Sequence, residues 1–205
     1  AIQPHGIFKS ACVTRAARAR RRIGPSYARE LSWLAYSERA GRRDRTRHAV
    51  EQAKDVLDHL GLARPGTPAV PLRYPRTALP PAPLRVALAP VSRWPTKNWP
   101  AEHFGQLARL LGTRGARVLV LGAAADQAAG ESICRLAPGI AENHCGRHTI
   151  PELFGVLEQC DLLVAVDTGP VHMAAALGRP CLVRFGPTRP EWTGPYGPGH
   201  RVLTR

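Results

Sequence analysis

Residues 161–186, DLLVAVDTGPVHMAAALGRPCLVRFG, decide the class of fold. Leu162 to Val166 form an apolar run without polar alternation, the pattern of a strand covered on both faces. The run ends in Asp167, turns through Thr168, Gly169 and Pro170, and passes at once into an alanine-rich helical stretch that stops at Gly178. A second apolar run, PCLVRFG, follows. Strand, helix and strand joined this tightly make a right-handed crossover unit of a parallel sheet. The junction also carries chemistry. Thr168 can cap the helix or donate to a phosphate, Gly169 permits close approach, and Pro170 stands where a missing N–H costs nothing. The free N–H groups and positive dipole end of the helix form an anion site from backbone alone, with His172 in its first turn. Ala174, Ala175 and Ala176 keep the helix thin enough to press on a sheet. The plainer alternative is a structural histidine in an α/β loop.

The same alternation extends upstream. LRVALAP (84–90) and ARVLVLG (116–122) are expected strands, and PAEHFGQLARLLGTRG (100–115), with Pro100 in its first turn, is an expected helix. ADQAAGESICRLA and TIPELFGVLEQC are further expected helices. Residues 83–205 therefore predict a doubly wound, Rossmann-like α/β domain, whose ligands bind outside the carboxyl ends of the strands. Neither the dinucleotide fingerprint nor the P-loop is present. Two more loops follow predicted strands. VSRWPTKNWP (91–100) gathers the donors Ser92, Arg93, Thr96 and Lys97 in a loop that two tryptophans can anchor, which suits an anion, although such a loop can also merely close a core. Gly122 permits close approach after its strand, and Asp126, four residues on, can take the hydroxyls of a ribose, although a glycine there is also common turn punctuation.

The first part of the chain differs in character. Residues 65–83, PGTPAVPLRYPRTALPPAP, exclude helix and inner strand and predict a linker between a domain of residues 1–64 and one of 84–205. Before it, Ala49, Val50, Ala53, Val56, Leu57 and Leu60 fall at helical spacing within 46–61. Net charge is +14: residues 1–82 hold 16 Lys+Arg against 6 Asp+Glu, or +10, and residues 83–205 hold 13 against 9, or +4. A basic surface of this kind attracts phosphorylated ligands, anionic lipid or nucleic acid, or simply consists of solvated arginines. A nucleic-acid reading finds no aromatic platform or recognition motif to support it. Five scattered cysteines without a C-x-x-C pair point to reduced thiols. His144, Cys145 and His148 could form half a zinc site, but no second ligand pair has the usual spacing, and a polar loop is the plain alternative. No run approaches the length of a membrane span and no signal peptide is evident, so a cytosolic protein is expected. The start at Ala1 is that expected of a fragment.

RWPTKNWPAEHFGQLARLL, VLVLGAAAD, the stretch 161–188 and TGPYGP resemble the donor-binding half of the bacterial lipopolysaccharide heptosyltransferases, glycosyltransferase family 9. GIFKSACVTRAARARRRIG and RHAVEQAKDVLDHLG resemble the latter part of that family's acceptor domain. The resemblance implies a two-domain GT-B fold and transfer of L-glycero-D-manno-heptose from ADP-heptose to the inner core of lipid A. It also implies a monomer working without a metal or other cofactor, on the cytoplasmic face of the inner membrane, where anionic lipid A with Kdo would suit the basic first part. By the same resemblance Lys97, Thr168, Gly169 and His172 hold the ADP diphosphate, and Ser92 and Arg93 line the pocket. Asp167 orients the loop or the sugar, Asp126 takes the ribose, and Lys9 belongs to the acceptor segment. The sequence departs from the family where Gln3, Pro4, His5, Gly6 and Ile7 replace D-x-Q-G-L and where Arg189 replaces an aspartate. The family's first βα unit, with its acidic base, would precede residue 1, and its last helix would follow residue 205. Residues 1–82 supply no good base, Glu30, Asp44 and Glu51 being taken as solvated helix charges. Donor binding without efficient transfer is therefore the expectation for this chain, and a remnant whose acceptor part does not fold is a further alternative.

Overall fold

The structure, a computed structural model, describes residues 1–3, 6–44, 46–62 and 72–204. Pro4 and His5 of the acceptor-like segment and positions 65–71 of the expected linker lie outside the described residues. The chain divides into two compact units, Ala1–Gly66 with Glu191–Thr193, and Thr67–Pro190 with Gly194–Arg205.

The first unit holds α1 (Phe8–Ala16), β1 (Ile23–Pro25), β2 (Glu38–Ala40) and α2 (Ala49–His59). None but α2 is expected from periodicity: the three-residue strands are too short to show any, and α1 buries only Ala11 and Thr14. β1 and β2 pair in parallel, Ile23 opposite Glu38, and Ile2 bridges Ile23 on the other side. Gly24 is required there, since a Cβ would lie 2.2 Å from the Tyr36 ring. The helix α2 corrects the expected apolar stripe: Ala49, Ala53 and Val50 are exposed, and the buried face is Gln52, Asp55 and Val56. Polar residues can be buried because Arg47 reaches Asp55 through both its amino groups, at 2.8 and 3.1 Å, while Gln52 donates to the Arg47 carbonyl. Glu30 and Asp44 lie outside helices, contrary to expectation. Glu30 accepts from the Phe8 N–H, Asp44 from Thr46, and Glu51 pairs with Lys54.

The second unit continues with β3 (Leu84–Ala89), α3 (Ala101–Gly112), β4 (Ala116–Val120), α4 (Gln127–Leu136), β5 (Ala141–Asn143), α5 (Ile150–Glu158), β6 (Leu162–Val166), α6 (Gly169–Ala176), β7 (Cys181–Arg184), α7 (Pro190–Thr193) and β8 (Arg201–Leu203). α7 mostly counts with the first unit. Pro100 occupies the N-cap of α3, one position earlier than expected. β5 and β8 are short edge strands that apolar runs do not announce. The sheet has the order β5-β4-β3-β6-β7-β8, and every pairing is parallel.

Alternate residues of each inner strand feed two cores, which makes the sheet doubly wound. Val86, Leu88, Val118, Val120, Val164 and Val166 pack with Phe104, Ala108 and Ile133 of α3 and α4. Ala87, Ala89, Leu119, Leu163, Ala165 and Val183 pack with Val156, Leu157, Val171 and Ala174 of α5 and α6. The chain winds outward from β3 through β4 and β5, returns to place β6 on the other side of β3, and winds outward again. The strand order thus reverses between β3 and β6, the position where such sheets open a crevice for ligands. Residues 72–83 are neither helix nor strand and are strapped to α5. Tyr74 stacks on Phe154, Thr77 donates to the Glu152 carbonyl, and a Cβ on Gly155 would lie 2.5 Å from the Pro75 carbonyl oxygen.

Candidate functional site at the switch point

Three loops meet where the strand order reverses. After β3, a single 3-10 turn, Pro95–Lys97, presents Lys97. After β6 comes Asp167, and after β7 comes Thr188. The Lys97 Nζ donates to Asp167 Oδ2 at 2.6 Å, and the Thr188 hydroxyl donates to the same oxygen at 2.7 Å. Asp167 is only 9% exposed, and a buried carboxylate is stable only when paired and hydrogen-bonded. Lys97 is tied to no other protein acceptor among the described residues, so two of its three ammonium hydrogens remain to be used. Thr188 is a site residue that the sequence alone does not reveal. Its partner is 21 positions away, and no spacing rule connects them.

Beside this node α6 begins. Thr168 is its N-cap in extended geometry, with φ −150°, and its side chain makes no capping bond. Pro170 stands in the first turn, as expected. A Cβ built on Gly169 would meet nothing within 4 Å, so open space faces the helix start. His172 lies exposed in that first turn, while Ala174 and Ala175 are buried against the sheet. The Lys97 ammonium, its charge partly offset by Asp167, and a helix start without a side-chain cap stand at the ends of adjacent strands, a combination suited to an anion.

The other sequence-predicted residues divide. Arg93 and Thr96 are exposed on the β3 loop, next to Lys97. Ser92 is buried instead. Its hydroxyl accepts from the Trp94 N–H and donates to the Trp94 carbonyl, and its N–H reaches Asn98 Oδ1 at 2.8 Å, so it shapes the loop. One tryptophan anchors that loop, not two: Trp99 meets the Phe104 ring edge-on at 5.0 Å and stacks on His103, whereas Trp94 is 61% exposed. Gly122 has the tight surroundings its position suggests, since a Cβ would lie 2.9 Å from Asp126 and 3.0 Å from the Cys145 sulfur. Asp126 spends Oδ2 on the Ala123 N–H at 2.8 Å, closing its own turn after β4. Lys9 lies exposed on α1 of the first unit.

The stretch around His144 is a built corner rather than a plain polar loop. His144 Nδ1 and His148 Nε2 are 2.9 Å apart, the rings stack, and Cys145 is buried with its thiol toward the Val120 carbonyl. Among the described residues no three His, Cys, Asp or Glu side chains are grouped to hold a metal. Burial holds both imidazoles below their ordinary 6.5, with the neighbouring ring adding to the effect at His144. An unfolded chain therefore takes up protons that the folded one resists. Stability should be flat above about pH 7.5 and should fall as pH drops through 6.5 towards the folded-state values. Melting temperatures between pH 8 and 5.5 check this, and His144→Gln should flatten the acid limb. Burial also pushes the thiols of Cys145, Cys160 and Cys181 up to about 11, 12 and 12, which makes them inert.

Part of the basic charge of the first unit is spent internally. Arg21 pairs with Glu38, Arg47 with Asp55, and Arg22 donates to the carbonyls of Ala35 and Ala19. Among the described residues no helix is long and apolar enough to cross a membrane.

The sequence profile described as Glycosyltransferase family 9 (heptosyltransferase) matches residues 1–204. Lipopolysaccharide heptosyltransferase 1 of Pseudomonas aeruginosa is 34% identical over 96% of this chain and 56% of its own length. Among solved structures, E. coli heptosyltransferase WaaC with ADP superposes with a TM-score of 0.81 at 29% identity, covering 99% of this chain and 65% of that one. The same E. coli protein with ADP-2-deoxy-2-fluoro heptose gives 0.78 at 29%, covering 98% and 64%. The chain spans 30% to 65% of the length of the curated relatives it matches.

Proposed function

Because the chain belongs to glycosyltransferase family 9, the heptosyltransferases, we propose that its second unit binds ADP-L-glycero-D-manno-heptose for transfer of the heptose to the lipopolysaccharide inner core. The observation that carries this reading is the Lys97–Asp167 pair at the switch point, beside the open start of α6. In it, Lys97, Thr168, Gly169 and His172 take the diphosphate, and exposed Arg93 and Thr96 add a cation and a hydroxyl donor beside them. Asp126 takes the ribose through the oxygen its own turn leaves over. Ser92 acts indirectly by shaping the loop. The donors aimed at the diphosphate supply the electrostatic part of catalysis, stabilising the charge that develops as ADP departs. The reaction so conceived draws on no metal. Residues 1–64 form the acceptor side with Lys9 in it, and the protein acts as a monomer at the cytoplasmic face of the inner membrane.

Calorimetric titration with ADP and with ADP-heptose tests the reading. The native chain should bind both, and His172→Ala should weaken ADP about tenfold, the lower end of the worth of one hydrogen bond to a charged group. A native chain that binds neither would remove the proposal, and heat unchanged in both His172→Ala and Lys97→Met would remove the site.

A further inference from the structure

Thr188 contributes one hydrogen bond, and that bond ends on the same carboxylate oxygen that holds Lys97. The loop that carries it is pressed onto the turn that carries Lys97, since a Cβ on Gly186 would lie 3.2 Å from the Thr96 carbonyl oxygen. Asp167 Oδ2 is therefore a node joining the ends of β3, β6 and β7, and its second donor has no other hydrogen-bond partner among the described residues. A carboxylate with a single partner can rotate about its side-chain bonds, and the ammonium paired with it follows. Two donors from different loops remove that freedom.

We infer that Thr188 is a positioning residue for the anion site: its hydroxyl fixes Asp167, and through Asp167 it aims the two unspent ammonium hydrogens of Lys97 at the incoming diphosphate. The inference rests on the donor-site reading above. It also predicts an order of dependence, in which Thr188 matters to the ligand only while Lys97 is present.

The chain contains three lysines, Lys9, Lys54 and Lys97, so side-chain nitrogen signals from lysine-labelled protein can be resolved without ligand. In the native chain and in Thr188→Ser the Lys97 signal should stand apart from that of exposed Lys9. In Thr188→Val it should move at least halfway towards it. Calorimetry with ADP supplies the second readout. Thr188→Val should weaken binding about tenfold in the native background and less than twofold in Lys97→Met, while Thr188→Ser stays within about twofold of native. Thr188→Ala replaces the valine variant if the latter does not fold. An unmoved Lys97 signal, an equal loss in both backgrounds, or a serine variant as impaired as the valine one overturns the inference. Absence of ADP binding by the native chain sinks the donor-site reading instead, and the ligand-free lysine signal then decides Thr188 by itself.

Discussion

Replacing Lys97 with methionine should weaken ADP binding roughly 30-fold, the equivalent of about 2 kcal/mol for one charge-assisted contact. It should also cost the fold about 2 kcal/mol, because Asp167 is left buried with a neutral hydroxyl as its only side-chain partner among the described residues. The full penalty for breaking a buried pair is about 3–5 kcal/mol. The lower figure applies here because Lys97 is 18% exposed and Thr188 still serves the carboxylate. The two effects separate in a second variant. Lys97→Met with Asp167→Asn removes the uncompensated charge, so stability should return most of the way while ADP affinity stays low. Urea denaturation and calorimetry on the two proteins read the outcomes independently. Near-native ADP affinity in Lys97→Met would leave the switch-point crevice without its central cation and would falsify the diphosphate assignment.

Phe104→Ala should be the most damaging single truncation in the second unit, at about 4 kcal/mol by urea denaturation. Phe104 is 1% exposed and belongs to the core that α3 and α4 form with residues of β3, β4 and β6. Trp99 leans on it edge-on at 5.0 Å. A phenyl-sized void there removes dispersion contacts on every side and also frees the tryptophan that anchors the Lys97 loop. Against a total stability of about 5–15 kcal/mol such a loss is large, and ADP affinity should decline with it. Phe104→Leu, which refills most of the volume, should cost about 1–1.5 kcal/mol. A loss below about 1.5 kcal/mol for the alanine variant would mean the core collapses into the void.

The parallel sheet is legible in the sequence because strands covered on both faces must be almost wholly apolar, and Leu84–Ala89, Ala116–Val120 and Leu162–Val166 are, with Arg85 and Arg117 at the second position of their strands as the exceptions. β5 and β8 are not legible. Ala141–Asn143 and Arg201–Leu203 lie at the sheet edges, where one neighbour and three residues leave too little apolar demand to mark the chain. The polar face of α2 is hidden for another reason: Gln52 and Asp55 are buried only because Arg47, from the preceding turn, meets them. Within the site, backbone-made features can be read from residue type alone, as at Gly169 and Pro170. Pairings across strands cannot, and so Lys97, Asp167 and Thr188 are visible singly in the sequence while their shared oxygen is visible only in space.

The reversal of strand order also has a kinetic side. Val86 of β3 pairs with Leu162 of β6, and three crossover connections, through α3, α4 and α5, separate the two strands along the chain. Local contacts form early, and a closure this long in sequence forms late. The crevice that Lys97 and Asp167 share is thus among the last parts of the second unit to exist during folding. A nucleotide bound there grips two strands that arrive separately, so occupancy of the crevice certifies that the sheet has closed and slows its reopening.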